Sequence, residues 1–213
     1  MKKKIIGVIM YGLILIMITP SLLATTTSEA YIPSDFTLSL EEIDLTKNYQ
    51  VKKERAHAIA ECARSLGLSE KDPIIVRAKE IWHKADEDFK IDRDIIATVV
   101  YNEAGYGCSD RHMELVAAVV CNRVNSDRFP DTVYDVVVAP RQYHPGYVKP
   151  DSYLGKRARE SEIWSKCQEI ATRALNGEIE CPANVYYQAN FVQGSAIYEI
   201  HKTSYSTTWF CYE

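Results

Sequence analysis

Residues 91–124 read IDRDIIATVVYNEAGYGCSDRHMELVAAVVCNRV, two apolar helical runs joined at a glycine-rich break that holds one carboxylate. In the first run Ile95, Ile96, Val99 and Val100 recur at three- and four-residue spacing, with Asp92 placed as an N-cap. Gly105 and Gly107 permit the backbone angles that end a helix and leave room for a bulky ligand. The second run opens near Ser109-Asp110, carries Met113, Val116, Ala117, Val120 and Val124, and stops at Asn125-Ser126-Asp127. Its small apolar residues suit a deeply buried central helix. Glu103 closes the first run. A carboxylate half withdrawn from water favours its neutral form, which raises its pKa toward the range a general acid needs.

N-terminal to this pair the same spacing predicts two more helices. One carries Val51, Ala58, Ile59, Cys62, Ala63 and Leu66 and stops at Gly67, where a left-handed C-cap fits. The next starts at Asp72-Pro73, a cap followed by proline at the first helical position. It buries Ile74, Ile75, Ala78, Ile81, Trp82 and Ala85, and the acidic cluster Asp86-Glu87-Asp88 reads as its solvated end. Residues 47–90 are thus expected to form an N-terminal helical segment and residues 91–213 the functional domain.

C-terminal to the pair, Asp131 or Thr132 caps a short helix that ends before Pro140. The stretch RQYHPGYVKPDSYLG that follows, residues 141–155, has no period and is rich in Pro, Gly and Tyr, as functional loops are. Helix is expected again from about Lys156 to Leu175, with Asn176-Gly177 as its stop. The tail changes character. Val185-Tyr186-Tyr187, 196–200 and 207–212 are short, aromatic and β-branched, which predicts two or three strands. The expected class is therefore α+β, a mostly helical body with a small C-terminal antiparallel β element.

The chain has 213 residues, with 25 basic and 29 acidic side chains. A mildly acidic balance without a basic tract argues against nucleic acid as a partner. Lys2, Lys3 and Lys4 precede an uncharged apolar run from Ile5 to Ile18, and small residues follow through Ala30. This is the layout of an export signal or a membrane anchor over residues 1–30, with residues 31–46 as a tether. Either way the protein is expected outside the membrane, secreted or held at the cell envelope. Membrane contact would come only through that segment. Six cysteines permit disulfides in such a compartment, but their wide spacing fixes no pairing, and Cys121 fits equally well as a buried thiol. No H-E-x-x-H pair and no G-x-S-x-G serine occurs, so no metal or cofactor is expected and Glu103 is the leading candidate. A cysteine–histidine pair such as Cys108 with His144 or His201 remains open in three dimensions.

The segments YNEAGYGCSDRHMELVAAVVCNRVNSDRFPDTVYDVV, APRQYHPGY, ATRALNGE and the aromatic tail resemble, in order and spacing, the SleB-like cell-wall hydrolases. This family includes spore-cortex-lytic enzymes. The resemblance covers roughly Asp92 to the C-terminus and implies a lysozyme-like core acting as a lytic transglycosylase on peptidoglycan glycan strands. It places the catalytic acid on Glu103 and aligns the N-R-V element with Asn122-Arg123-Val124 and the glutamine-aromatic element with Gln142-Tyr143. Asn122, Gln142, Tyr143, Tyr186 and Tyr187 become candidate substrate-binding residues, and a monomer is expected. Many members carry a second glutamate soon after the first, where this chain has Gly107 and Cys108. A hydrolytic muramidase that recruits Asp110, Asp127 or Asp131, and a non-catalytic wall-binding protein, are the alternatives.

Overall fold

The computed structural model describes residues 40–45 and 47–213. The expected export signal and most of the expected tether lie outside these residues. The part of the tether that is described is not an open linker, because residues 40–44 are helical and bury Leu40 and Ile43.

Helix α1 runs Tyr49–Ser65, capped by Asn48, whose side chain accepts from the Val51 N–H at 3.0 Å. Gly67 follows with φ 84°, the left-handed stop that the sequence predicts. Helix α2 is capped by Asp72, which accepts from the Ile74 N–H at 3.0 Å, and runs without interruption from Pro73 to Ala104. The break expected near Asp92 does not occur, and the boundary expected at 90/91 falls inside this helix. The acidic cluster is internal. Asp86 pairs with Lys53 on α1 and with Lys90 one turn on, and Lys84 pairs with Asp88 at i,i+4. Asp92 is no cap either, because its carboxylate accepts the Tyr49 hydroxyl. With no Gly or Pro after Pro73, nothing in the backbone stops the helix, and these side-chain pairs reward its continuing.

The two ends of α2 serve different cores. Its first half packs on α1 around Ile74, Ile75, Ala78 and Ile81, together with Ala56, Ala60 and Ala63. Its second half enters a larger core with α3 (Asp110–Val124), α4 (Val133–Val138) and α6 (Trp164–Leu175). The Ser109 side chain caps α3 by accepting from the His112 N–H, and Thr132 caps α4. The helix expected from Lys156 to Leu175 is two helices, α5 (Tyr153–Arg159) and α6. Ser161 separates them. Its hydroxyl accepts from the Ile163 N–H, the local competition with helix for which serine is known.

Strands β1 (Val185–Ala189), β2 (Ile197–Lys202) and β3 (Thr207–Tyr212) form an antiparallel sheet in the order β1-β3-β2. Val185 pairs with Tyr212 and Ala189 with Trp209, and the register slips once in each strand pair, between Val185 and Tyr187 and between Ile197 and Glu199. Phe210 carries the sheet into the core and is fully buried. Gly194 turns β1 toward β2 at φ 70°, and a Cβ there would lie 1.9 Å from the Tyr212 carbonyl oxygen. All six cysteines are free thiols, with Cys167 and Cys211 buried. Burial pushes the Cys121 thiol up to about 12.

A proline at Lys90 tests the continuity of α2. If residue 90 were a boundary, Lys90→Pro would be nearly neutral, whereas in a helix interior it costs about 3 kcal/mol or more, read by urea denaturation.

His112 supplies a second test. It is 1% exposed, neither ring nitrogen has a hydrogen-bond partner, and it packs on Phe210 and His201. Burial, aided by the His201 charge, pushes its pKa down to about 4. A depressed folded pKa means that the unfolded chain takes up the proton first, so stability is lost as pH falls from about 6.5 toward 4. The loss is on the order of 3 kcal/mol, and His112→Leu is expected to flatten it in thermal melts across that range.

Candidate active site

Glu103 occupies the last turn of α2, and the helix ends at Ala104 with Gly105 as its C-cap. Gly105 keeps right-handed angles, so the chain turns at Gly107 instead, where φ is 73°. The Glu103 side chain is exposed at the surface, yet protein surrounds it on most sides. Burial raises its pKa, opposed by one hydrogen bond in which the Tyr147 hydroxyl donates to Oε1 at 2.9 Å. No other charge contributes among the described residues. Tyr147 is itself buried, and burial together with the Glu103 charge raises its own pKa.

Tyr147 stands on a single 3-10 turn, Pro145–Val148, capped by the His144 ring, whose Nδ1 accepts from the Gly146 N–H at 3.0 Å. It lies within the APRQYHPGY element, beyond the Gln142-Tyr143 pair that the resemblance assigns to substrate binding. No local signal marks it, because its contact with Glu103 exists only once the turn is folded against the end of α2.

The expected substrate-binding residues fall into two groups. Gln142 is exposed, and it follows Arg141, whose φ of 63° is the one positive value outside glycine among the described residues. Tyr143 is buried, with a hydroxyl that has no hydrogen-bond partner and a ring 5.3 Å from the Arg123 guanidinium. Burial raises its pKa against the Arg123 charge, and the Glu103 charge adds to the rise. Tyr186 and Tyr187 are half-buried on β1. The first packs on Phe129 at 5.3 Å and the second covers Gly194.

Asn122 has structural work instead. Its amide donates to the Pro182 and Val185 carbonyls at 2.9 and 3.0 Å, which ties α3 to the start of β1. Arg123, read only as part of a motif, is the more central residue. It is 4% exposed, its Nε donates to the Tyr186 carbonyl at 2.8 Å, and its guanidinium lies against both Phe129 and Tyr143.

The alternative chemistries find less support. Burial raises the Cys108 thiol and so disfavours its thiolate, while His144 is occupied as a cap. His201 bonds Glu199 at 3.1 Å, and Glu199 is held by Arg111. Among the described residues no group of three or more His, Cys, Asp or Glu side chains could hold a metal ion. Asp110 pairs with Lys166, and Asp131 lines a cavity of about 630 Å³ beside Asn48 and Asp92.

Residues 107–210 match the family model described as Cell Wall Hydrolase. The match begins just after Glu103 and takes in Arg123, the turn that carries Tyr147, and all three strands nearly to their end. It supports a cell-wall hydrolase acting on peptidoglycan. Comparison with curated proteins finds no match, and comparison with solved structures finds none.

The Tyr147 hydrogen bond is testable without any substrate. Because it stabilises the charged carboxylate, Tyr147→Phe is expected to raise the Glu103 titration midpoint further, read by carbon NMR of labelled glutamate side chains. A midpoint that stays in place or falls would show that the hydroxyl does not govern the carboxylate.

Proposed function

We propose that this protein is an exported, monomeric peptidoglycan-degrading enzyme, a lytic transglycosylase with Glu103 as its single acid and base. The observation that carries the reading is the environment of Glu103. Its pKa is raised by burial, it faces solvent at the end of a core helix, and among the described residues no second carboxylate acts on it. A pKa shifted upward favours the protonated form that a general acid requires.

In this mechanism protonated Glu103 donates to the glycosidic oxygen between N-acetylmuramic acid and N-acetylglucosamine. The bond from the muramic C1 to that oxygen breaks with oxocarbenium character, and the leaving sugar departs with the proton. The Glu103 carboxylate then takes the proton of the muramic 6-hydroxyl as O6 bonds to C1. The carboxyl is restored, and the product ends in 1,6-anhydro-muramic acid. Tyr147 acts as a positioning residue. Its hydroxyl fixes the carboxylate rotamer and steadies the charge between the two proton transfers. The half-buried Tyr186 and the exposed Gln142 are assigned to the sugar as an aromatic edge and an amide.

Digestion of peptidoglycan by the full chain, with mass spectrometry of the fragments, tests this directly. Anhydro-muramic ends are expected, and reducing muramic ends would instead establish a hydrolytic muramidase. Glu103→Gln keeps the side-chain shape but cannot donate the proton, so turnover is expected to fall by about 10³-fold or more with little change in melting temperature. Retained turnover in that variant would remove Glu103 from the mechanism.

A further inference from the structure

Across the end of α2 from Glu103 lies a second concavity of about 640 Å³ whose chemistry the glycan reaction does not use. Its floor is Tyr101, 7% exposed, with Tyr106 edge-on at 6.4 Å between ring centres and the Arg157 guanidinium 6.0 Å from the Tyr101 ring. Two rings stand open to solvent above this floor. Tyr106 is 69% exposed and Tyr153 76%.

Among the described residues, charges of both signs stand around them without ion-pair partners. Neighbouring cations are tied down, Arg159 to Asp94 at 3.0 Å and Lys166 to Asp110. Lys156 and Arg157, by contrast, make no ion pair among the described residues, although Glu160 and Glu162 line the same concavity and are equally unpaired. Lysine and arginine near the C-terminus of a helix are ordinary complements to its dipole. The dipole does not account for two exposed tyrosines beside them or for two carboxylates left apart. Open ring faces with separated charges of both signs complement a short peptide that bears carboxylates and an amine.

We propose that this surface binds the peptide stem of the peptidoglycan strand, a deepening of the proposed function that rests on that reading. The reach is right. Tyr101 precedes Glu103 by two residues, which puts the two side chains about 160° apart around a helix roughly 10–12 Å across. A stem leaves the muramic sugar beside the scissile bond, and at about 3.3–3.6 Å per extended residue its third and fourth residues reach roughly 10–14 Å, enough to cross over the end of the helix at Ala104. Carboxylates of the stem meet Lys156 and Arg157, the amine of a diamino acid meets Glu160 or Glu162, and the backbone lies on the tyrosine faces.

The experiment is a calorimetric titration of the full chain with free stem tetrapeptide, with no glycan present. Saturable binding is expected, about tenfold weaker in Arg157→Ala, the scale of one charge-assisted hydrogen bond. A similar loss is expected in Tyr106→Ala, whose ring is too exposed to be needed for folding. Glu103→Gln should bind as the parent does, so this result stands or falls apart from the proton-transfer reading. In parallel, digestion of intact strands is compared with strands stripped of peptides by an amidase. The parent is expected to prefer intact strands, and Arg157→Ala to lose about tenfold of that preference. No tetrapeptide binding by the parent, or equal digestion of both strands, would overturn the proposal. So would weakened binding of peptide-free glycan in both variants with tetrapeptide binding intact, which would make the surface a sugar site.

Discussion

The structure around Glu103 depends on a buried cation. Arg123 is almost wholly removed from water, and among the described residues it has no carboxylate partner. A guanidinium in that position would be costly if nothing replaced its hydration. Here the Tyr186 carbonyl accepts from Nε, and the faces of Phe129 and Tyr143 supply the rest. These partners come from β1, from the loop after α3 and from the turn after α4, so one side chain sets the spacing of three segments. Asn122, its neighbour, ties the same strand to α3 through two carbonyls. Tyr143 in turn leads into the 3-10 turn that carries Tyr147. The hydroxyl that reaches Glu103 is therefore held in place, through packing, by an arginine on another helix.

That dependence explains what could be read in the sequence and what could not. The end of α2 at Ala104, the cap at Ser109, the stop at Gly67 and the three strands rest on local signals, on spacing, capping side chains and β-branched runs. They stand where those signals put them. The continuity of α2 through Asp86–Asp92 was hidden, because an acidic cluster followed by an aspartate looks like an end followed by a cap. Only the partners on α1, Lys53 and Tyr49, reverse that meaning, and they lie 33 and 43 residues away in the chain. The division of the helix after Arg159 turns on one serine hydroxyl. Glu103 was legible because a carboxylate at the end of an apolar run is locally odd. Tyr147 was not, because its role exists only once the turn is folded against the helix end.

The balance of forces on Glu103 bears on the kind of chemistry this site suits. Two-carboxylate glycosidases place their second acid within about 5–9.5 Å of the first, where its charge would act on the first. Here burial and the Tyr147 hydroxyl account for the whole shift. Of the acids that could have served, Asp110 is paired with Lys166 and Asp131 lines the cavity beside Asn48 and Asp92. Under the proposed mechanism this is an adequate set of parts. A nucleophile carried by the substrate needs no activating carboxylate of its own, because the one that donated the first proton is ionised when the second must be removed. Burial raises the pKa, which favours holding the first proton, and the Tyr147 hydrogen bond opposes that rise by stabilising the carboxylate. Opposed influences of that kind suit a group that must both give and take a proton in one turnover.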